Sequence, residues 1–174
     1  MTIYKTFQTK RLIIQPISIE DADFILELLN SPKWKKYIGD RNINSTEEAQ
    51  QYISERMLPN LKKYGYSNNV VIRKEDNVKL GTCGLHKRDG LEVVDIGFAF
   101  LPQHEGKGYA YEAASKLTEA AHSDFNISEL SGYTLEENTS SRKLLEKLGF
   151  SLIGKTFIPN DSEELLHYHK VLNQ

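Results

Sequence analysis

The 174-residue chain reads as a single α/β (α+β) domain, residues 1–174, built on a mixed central sheet of about seven strands with helices on both faces. Three observations predict it. Short β-branched and aromatic runs alternate with amphipathic segments of helix length, the pattern of a sheet covered on both sides. One strand-like run, Val93 to Phe100, passes through a glycine-containing turn directly into a helix. No internal repeat, low-complexity tract or linker divides the sequence, and its length suits one core.

Arg11 to Ile17 reads as the first strand. Ser18, followed by Glu20 and Asp21, opens a helix with an apolar face of Leu26, Leu28 and Leu29. It should stop near Ser31-Pro32, because the residue before a proline is pushed out of the α region. Lys33-Trp34-Lys35-Lys36-Tyr37 reads as a solvated loop with one buried aromatic. A second helix runs from Thr46 toward Lys63, capped by Ser45 or Thr46, with Glu47 and Glu48 favourable at its positive end. Val70 to Lys74, Asp76-Asn77 and Leu80 to His86 form a hairpin pattern, and Gly90 turns the chain into a strand from Glu92 to Phe100. Ala110, Ala113, Ala114, Leu117 and Ala121 then recur at helical spacing. Leu130 to Leu135, Ser151 to Phe157 and Leu165 to Val171 supply three further strands. After the first of these, Asn138 or Thr139 caps a short helix. Leu144, Leu145 and Leu148 form its stripe and Gly149 its left-handed end.

Composition excludes several classes of function. A formal net charge of −2 gives no general reason to expect a nucleic-acid or anionic-membrane partner. No apolar run approaches the ~18 residues of a membrane span and no signal-peptide core opens the chain, so a cytoplasmic protein is expected. Cys83 is the only cysteine, which excludes an intrachain disulfide and a thiolate zinc cluster and suits a small strand residue. No metal site is expected. His104-Glu105 begins like a zinc-protease motif, but Gly108 stands where the second His is needed, and His167 and His169 have no third ligand.

The chemistry concentrates in Leu101-Pro102-Gln103-His104-Glu105-Gly106-Lys107-Gly108-Tyr109-Ala110. Strand, glycine turn and helix in that order make an anion cradle. Glycines let successive N–H groups converge, and the helix N-terminus adds partial positive charge, so a phosphorylated cofactor is expected here. A Walker loop would need Gly-Lys-Ser/Thr where Gly106-Lys107-Gly108 stands, and a dinucleotide fingerprint would need glycine in place of Tyr111.

The spacing Gln103-x-x-Gly106-x-Gly108-x-Ala110 resembles the coenzyme-A pyrophosphate loop of the GNAT superfamily of N-acetyltransferases. Asn138-Thr139-Ser140-Ser141 through Leu148-Gly149-Phe150 resembles the family's later signature, in the right order. Ser141 and the opening Thr9-Lys10-Arg11-Leu12-Ile13-Ile14-Gln15-Pro16 are most similar to the ribosomal-protein alanine N-acetyltransferase (RimJ/RimL) branch. The resemblance covers nearly the whole chain, most loosely residues 31–68, and implies a GNAT-like sheet and acetyl-CoA as cofactor. It assigns cofactor contacts to Gln103, Gly106, Lys107, Gly108, Tyr109, Ala110 and Asn138, and to the main chain of Phe98, Ala99 and Phe100.

An acceptor amine is mostly ammonium near neutral pH, so a base must take its proton. The family places a carboxylate on the strand before the loop, which here offers Glu92 and Asp95 on opposite faces of the strand. Asp95 is preferred, as the acidic residue of the family's acidic-Ile-Gly-aromatic pattern. Many relatives carry a tyrosine seven residues after the motif's Asn as proton donor to the leaving thiolate. That position is Leu145 here, leaving Ser141 or Tyr133 as candidates, or no acid at all. The favoured acceptor is a peptide or protein N-terminus. The alternatives are a small amine such as a polyamine, an amino acid or an aminoglycoside, with Glu163 and Glu164 favouring a polycation, and a non-catalytic acyl-CoA-binding module. The resemblance also implies a possible homodimer, and Lys33 to Tyr37 as part of the acceptor cleft.

Overall fold

Residues 3–173 are described in a computed structural model, and the chain runs in the following order. β1 (Phe7–Gln8) and β2 (Leu12–Pro16) lead to four helices, α1 (Ala22–Leu29), α2 (Pro32–Tyr37), α3 (Thr46–Tyr52) and α4 (Leu58–Tyr64). Next come β3 (Asn68–Arg73), β4 (Val78–His86), β5 (Asp95–Phe100) and α5 (Tyr109–Ser123). The chain ends with β6 (Glu129–Thr134), α6 (Thr139–Lys147), β7 (Ser151–Thr156) and β8 (Leu165–Val171). All eight strands join one sheet in the order β1-β2-β3-β4-β5-β6-β8-β7, one strand more than expected because Phe7–Gln8 adds a short edge.

Every neighbouring pair is antiparallel except β5 and β6, which are parallel and joined at a single register position, Asp95 opposite Ser131. There the Ser131 N–H donates to the Val94 carbonyl at 2.9 Å; toward Phe100 the two strands part. The expected helices cover both faces. On one, α5 sets Ala113, Ala114, Leu117 and Ala121 against Leu85, Ile96, Leu130 and Tyr168. On the other, Ile25, Leu28, Ile53 and Met57 pack on Val70 and Ile72. Each such side chain taken fully out of water contributes roughly 1.5–3 kcal/mol. Cys83 is buried in β4, and burial pushes its thiol up to about 12, so it is inert as a nucleophile.

Two local expectations are corrected and a third is refined. Lys33 to Tyr37 is helical: Pro32 sits at the first helical turn, where its missing N–H costs nothing, and Trp34 buries against the second core. Glu92 is not on a strand. Gly90 turns the chain at φ +87°, the Lys87 ammonium bonds the Leu91 carbonyl, and extended pairing begins only at Asp95. The helix from Thr46 runs to Tyr64 but widens to π geometry over Ile53–Met57. Pro59 explains the widening, because it supplies no N–H for the carbonyl four residues back.

Candidate active site

Gly106 and Gly108 both take positive φ, +75° and +81°, and Gly108 is the N-cap of α5. The first N–H groups of a helix have no intrahelical acceptor, so this left-handed corner aims those of Tyr109, Ala110 and Tyr111 outward with the positive end of the dipole. The cradle is braced from behind by the first strands. Glu112 on α5 accepts from Thr9 Oγ1 at 2.6 Å, from the Arg11 N–H at 2.9 Å and from Arg11 Nε at 2.7 Å. Arg11 Nη1 donates to the Lys107 carbonyl at 2.9 Å, and the guanidinium lies 4.4 Å from the Tyr109 ring centroid. Arg73 completes the brace by donating to the Tyr109 hydroxyl at 3.4 Å.

The parting of β5 from β6 exposes main chain. Leu101 N–H points toward β4, where it donates to Leu80, and the Val94 carbonyl points toward β6. Strand alternation with unbroken register therefore turns the N–H and C=O of Phe98 and Phe100 toward the gap.

A cavity of about 330 Å³ runs from the cradle to this gap, lined by Phe98, Ala99, Phe100, Gly106, Gly108, Tyr109, Ala110, Asn138 and Ser141. Lys33, Lys143 and Lys147 add positive charge to its walls, and Lys33 is paired with Glu105 at 2.5 Å. A second cavity of about 300 Å³ lies on the face of the N-terminal helices and shares Trp34, Tyr37, Ile38, Phe98, Ala99, Asn138 and Ser141 with the first. It continues past Arg41, Arg56, His86 and Arg88 into a third, outer cavity of about 760 Å³.

Asp95 lines the second cavity and is 2% exposed, its carboxylate held by Arg88 through Nε at 2.7 Å and Nη2 at 3.2 Å. Glu92 is exposed in the preceding loop and lines none of the three cavities. Gln103 and Lys107 line none of them either. The Gln103 amide turns out to Glu27 at 3.5 Å, and Lys107 contributes its carbonyl to the Arg11 brace. Asn138 caps α6, accepting from the Ser141 N–H at 3.3 Å, while lining both inner cavities. Leu145 is buried and closes the second cavity against Gly132, so no hydroxyl stands there. Tyr133 lines the same cavity, and burial pushes its phenol above the usual range.

The sequence singles out Trp34 only within the Lys33 to Tyr37 segment and His104 only as a discarded zinc-motif fragment. Trp34 and His104 line the first cavity, and Trp34 Nε1 and His104 Nδ1 are buried without a partner among the described residues. An orphaned indole N–H beside a groove suits a ligand that brings carbonyl acceptors. Lys143 and Lys147, one turn apart on α6, were legible only as an exposed helix face. Among the described residues no group of three or more His, Cys, Asp or Glu could hold a metal, and no helix is long and apolar enough to cross a membrane.

Such an arrangement, a glycine-lined helix N-terminus opening onto a split between parallel strands with a second cavity behind, suits an enzyme that joins a phosphorylated donor to a separate acceptor. The sequence matches the acetyltransferase (GNAT) domain over residues 11–151, and the chain belongs to that family. It is 30% identical to p20, an uncharacterized N-acetyltransferase of Bacillus licheniformis, over 86% of this chain and 84% of that one. Among solved structures it is similar to a GNAT-family acetyltransferase of Bacillus anthracis, with 25% identity, TM-score 0.79, and 96% and 98% of the two chains covered. The fold is shared with RimL, a ribosomal-protein α-N-acetyltransferase solved with coenzyme A, at 13% identity and TM-score 0.82 over 97% and 98%. The chain is thus an acyltransferase of a family that uses acetyl-CoA and acts on amines.

Proposed function

We propose that this enzyme transfers the acetyl group of acetyl-CoA to the N-terminal amine of a peptide or protein, in the manner of the RimJ/RimL branch, by direct attack within a ternary complex. One observation carries the reading: the two inner cavities meet at Trp34, Phe98, Ala99, Asn138 and Ser141, where β5 and β6 part. A donor lying along the first cavity and an acceptor entering through the second arrive at the same point, which converts a bimolecular step into an oriented one. Gly106, Gly108, Tyr109 and Ala110 hold the pyrophosphate, with Lys33, Lys143 and Lys147 adding charge, and the main chain of Phe98 and Phe100 pairs with the pantetheine amides. Bound acetyl-CoA supplies an acetyl thioester whose thiol, of ordinary pKa ~8.5, leaves without a dedicated acid.

The outer cavity favours a polypeptide acceptor. Arg41, Arg56, Lys87 and Arg88 stand there opposite Glu48, Glu55, Asp89 and Asp161, a balanced lining that suits a chain of mixed groups rather than a polycation. Glu163 and Glu164 are exposed and line none of the three cavities, so they lend no support to a polyamine. Under this reading the enzyme works in the cytoplasm and pairs as a homodimer. The test is thiol release from acetyl-CoA with N-terminal peptides, polyamines, amino acids and aminoglycosides, alongside direct coenzyme-A binding. Release driven by peptides supports the reading, and release driven only by small amines replaces the acceptor.

A further inference from the structure

We infer that His86 is the base that takes the proton from the acceptor amine, an inference that rests on the transferase reading above. His86 ends β4 and stands in register with Asp95 on β5. Its ring lies over Gly97: a Cβ added there would come within 3.1 Å of His86 Nε2. Glycine at position 97 therefore makes room for the imidazole one residue before Phe98, whose main chain faces the gap. His86 lines both the second and the outer cavity, so an amine moving inward from one to the other passes the ring.

The alternatives on this face are committed elsewhere. Both Asp95 oxygens are engaged by Arg88. His167 is bonded to Ser131 at 2.9 Å. Among the described residues no side chain hydrogen-bonds the His86 imidazole. The charged and titratable groups around its two cavities are Asp95 on β5, Arg88 after β4 with Lys87 and Asp89 beside it, Tyr133 on β6, Tyr37 on α2, Glu48, Tyr52, Glu55 and Arg56 from the helical run, and Arg41 and Asp161 from loops. Burial pushes the imidazole below its ordinary value, Asp95 pulls it up, and Arg88 pushes it down again. The net direction is down, so the ring is neutral at pH 7 and one nitrogen keeps a lone pair.

The proton ledger closes. Of the three protons on the acceptor ammonium, one stays on the amide nitrogen, one goes to His86 and from there to water, and one protonates the leaving thiolate. The nitrogen lone pair so freed forms the C–N bond as the C–S bond breaks. Glutamine at 86 keeps a polar side chain of similar reach but cannot accept a proton.

The test compares the native enzyme with His86→Gln and His86→Ala. A nitrogen-detected NMR titration, with the His86 ring assigned by its loss in His86→Gln, should show it titrating below pH 6.5 (the ordinary value). At saturating acetyl-CoA and the best acceptor of the panel, kcat should fall about 10²–10⁴-fold in His86→Gln. The acid limb of the native pH profile should vanish with it, while coenzyme-A affinity stays unchanged because His86 lies outside the first cavity. Added imidazole should restore part of the rate in His86→Ala. A ring that titrates above pH 7, or variants that keep the native kcat and pH profile, overturns the assignment alone. A native chain that acetylates nothing in the panel overturns the transferase reading and this inference together.

Discussion

Glu112→Gln tests how far the cradle depends on its brace. The glutamate side chain is 19% exposed and accepts three hydrogen bonds, two on Oε1 and one on Oε2. Glutamine keeps the Oε1 contacts but sets an NH₂ against Arg11 Nε, donor against donor, at a separation of 2.7 Å. Losing one charge-assisted bond in a partly buried setting costs about 2 kcal/mol. In a domain of this size that is a drop in Tm of about 4–8 °C. The pH dependence has a definite sign. Burial alone would raise the Glu112 carboxyl, but the bonds from Thr9 and Arg11 outweigh it and hold the carboxyl below its ordinary 4.5. Its stabilisation is therefore complete above about pH 4.5 and is lost as the pH falls through the depressed folded value. Thermal melts of both proteins from pH 7 downward should show the gap closing in acid, and calorimetry should show weaker coenzyme-A binding as Arg11 releases the Lys107 carbonyl. Equal melting points at pH 7, or a gap that persists unchanged in acid, would refute the reasoning.

Gly108→Val should raise the coenzyme-A Kd at least tenfold. Its φ of +81° is strained for a β-branched residue, and the new Cβ would meet Arg11 Nη2 at 3.3 Å. Gly65→Val, at φ +85° with nothing near its Cβ, should lose comparable stability in a melt and keep full affinity. Arg88→Ala strands the 3%-exposed Asp95 side chain and should cost about 3 kcal/mol in urea unfolding, with the double variant carrying Asp95→Asn recovering most of it. Gly132→Ala places a Cβ 2.7 Å from Leu145 Cδ2 and should destabilise by about 1–3 kcal/mol. Combined with Leu145→Ala, the double variant should cost less than the sum of the two single costs, because the smaller side chain vacates the contested space.

What could be read in advance divides by range. The glycines of the cradle and the cap of α6 act within a few residues of themselves, so the turn was legible from spacing and the cap was narrowed to Asn138 or Thr139, of which the structure uses Asn138. Helix α2 was missed because Lys33-Trp34-Lys35-Lys36-Tyr37 carries no repeating stripe; one buried indole and a leading proline hold it. Glu92 was placed on a strand whose start is decided by the turn at Gly90. Gln103 has the residue type its motif requires, but the short 3₁₀ turn at Pro102–His104 sends its amide away from the groove. Arg11 was visible only as part of an N-terminal pattern, since its contacts with Lys107 and Glu112 exist only after β2 and α5 meet. His86 had no signal at all within its own segment, and only its cross-strand register with Asp95 and the space left by Gly97 explain its position.

The separation of β5 from β6 creates a sheet margin inside the sheet. The outer margins are β1 and β7. The stretch from Gly97 to Phe100 can be approached only by something narrow enough to slip between two strands that share a root at Asp95 and Ser131. Under the proposed reading, the gap would screen ligands by cross-section before any side chain is consulted. A slender, amide-bearing arm passes that screen, and a folded surface does not.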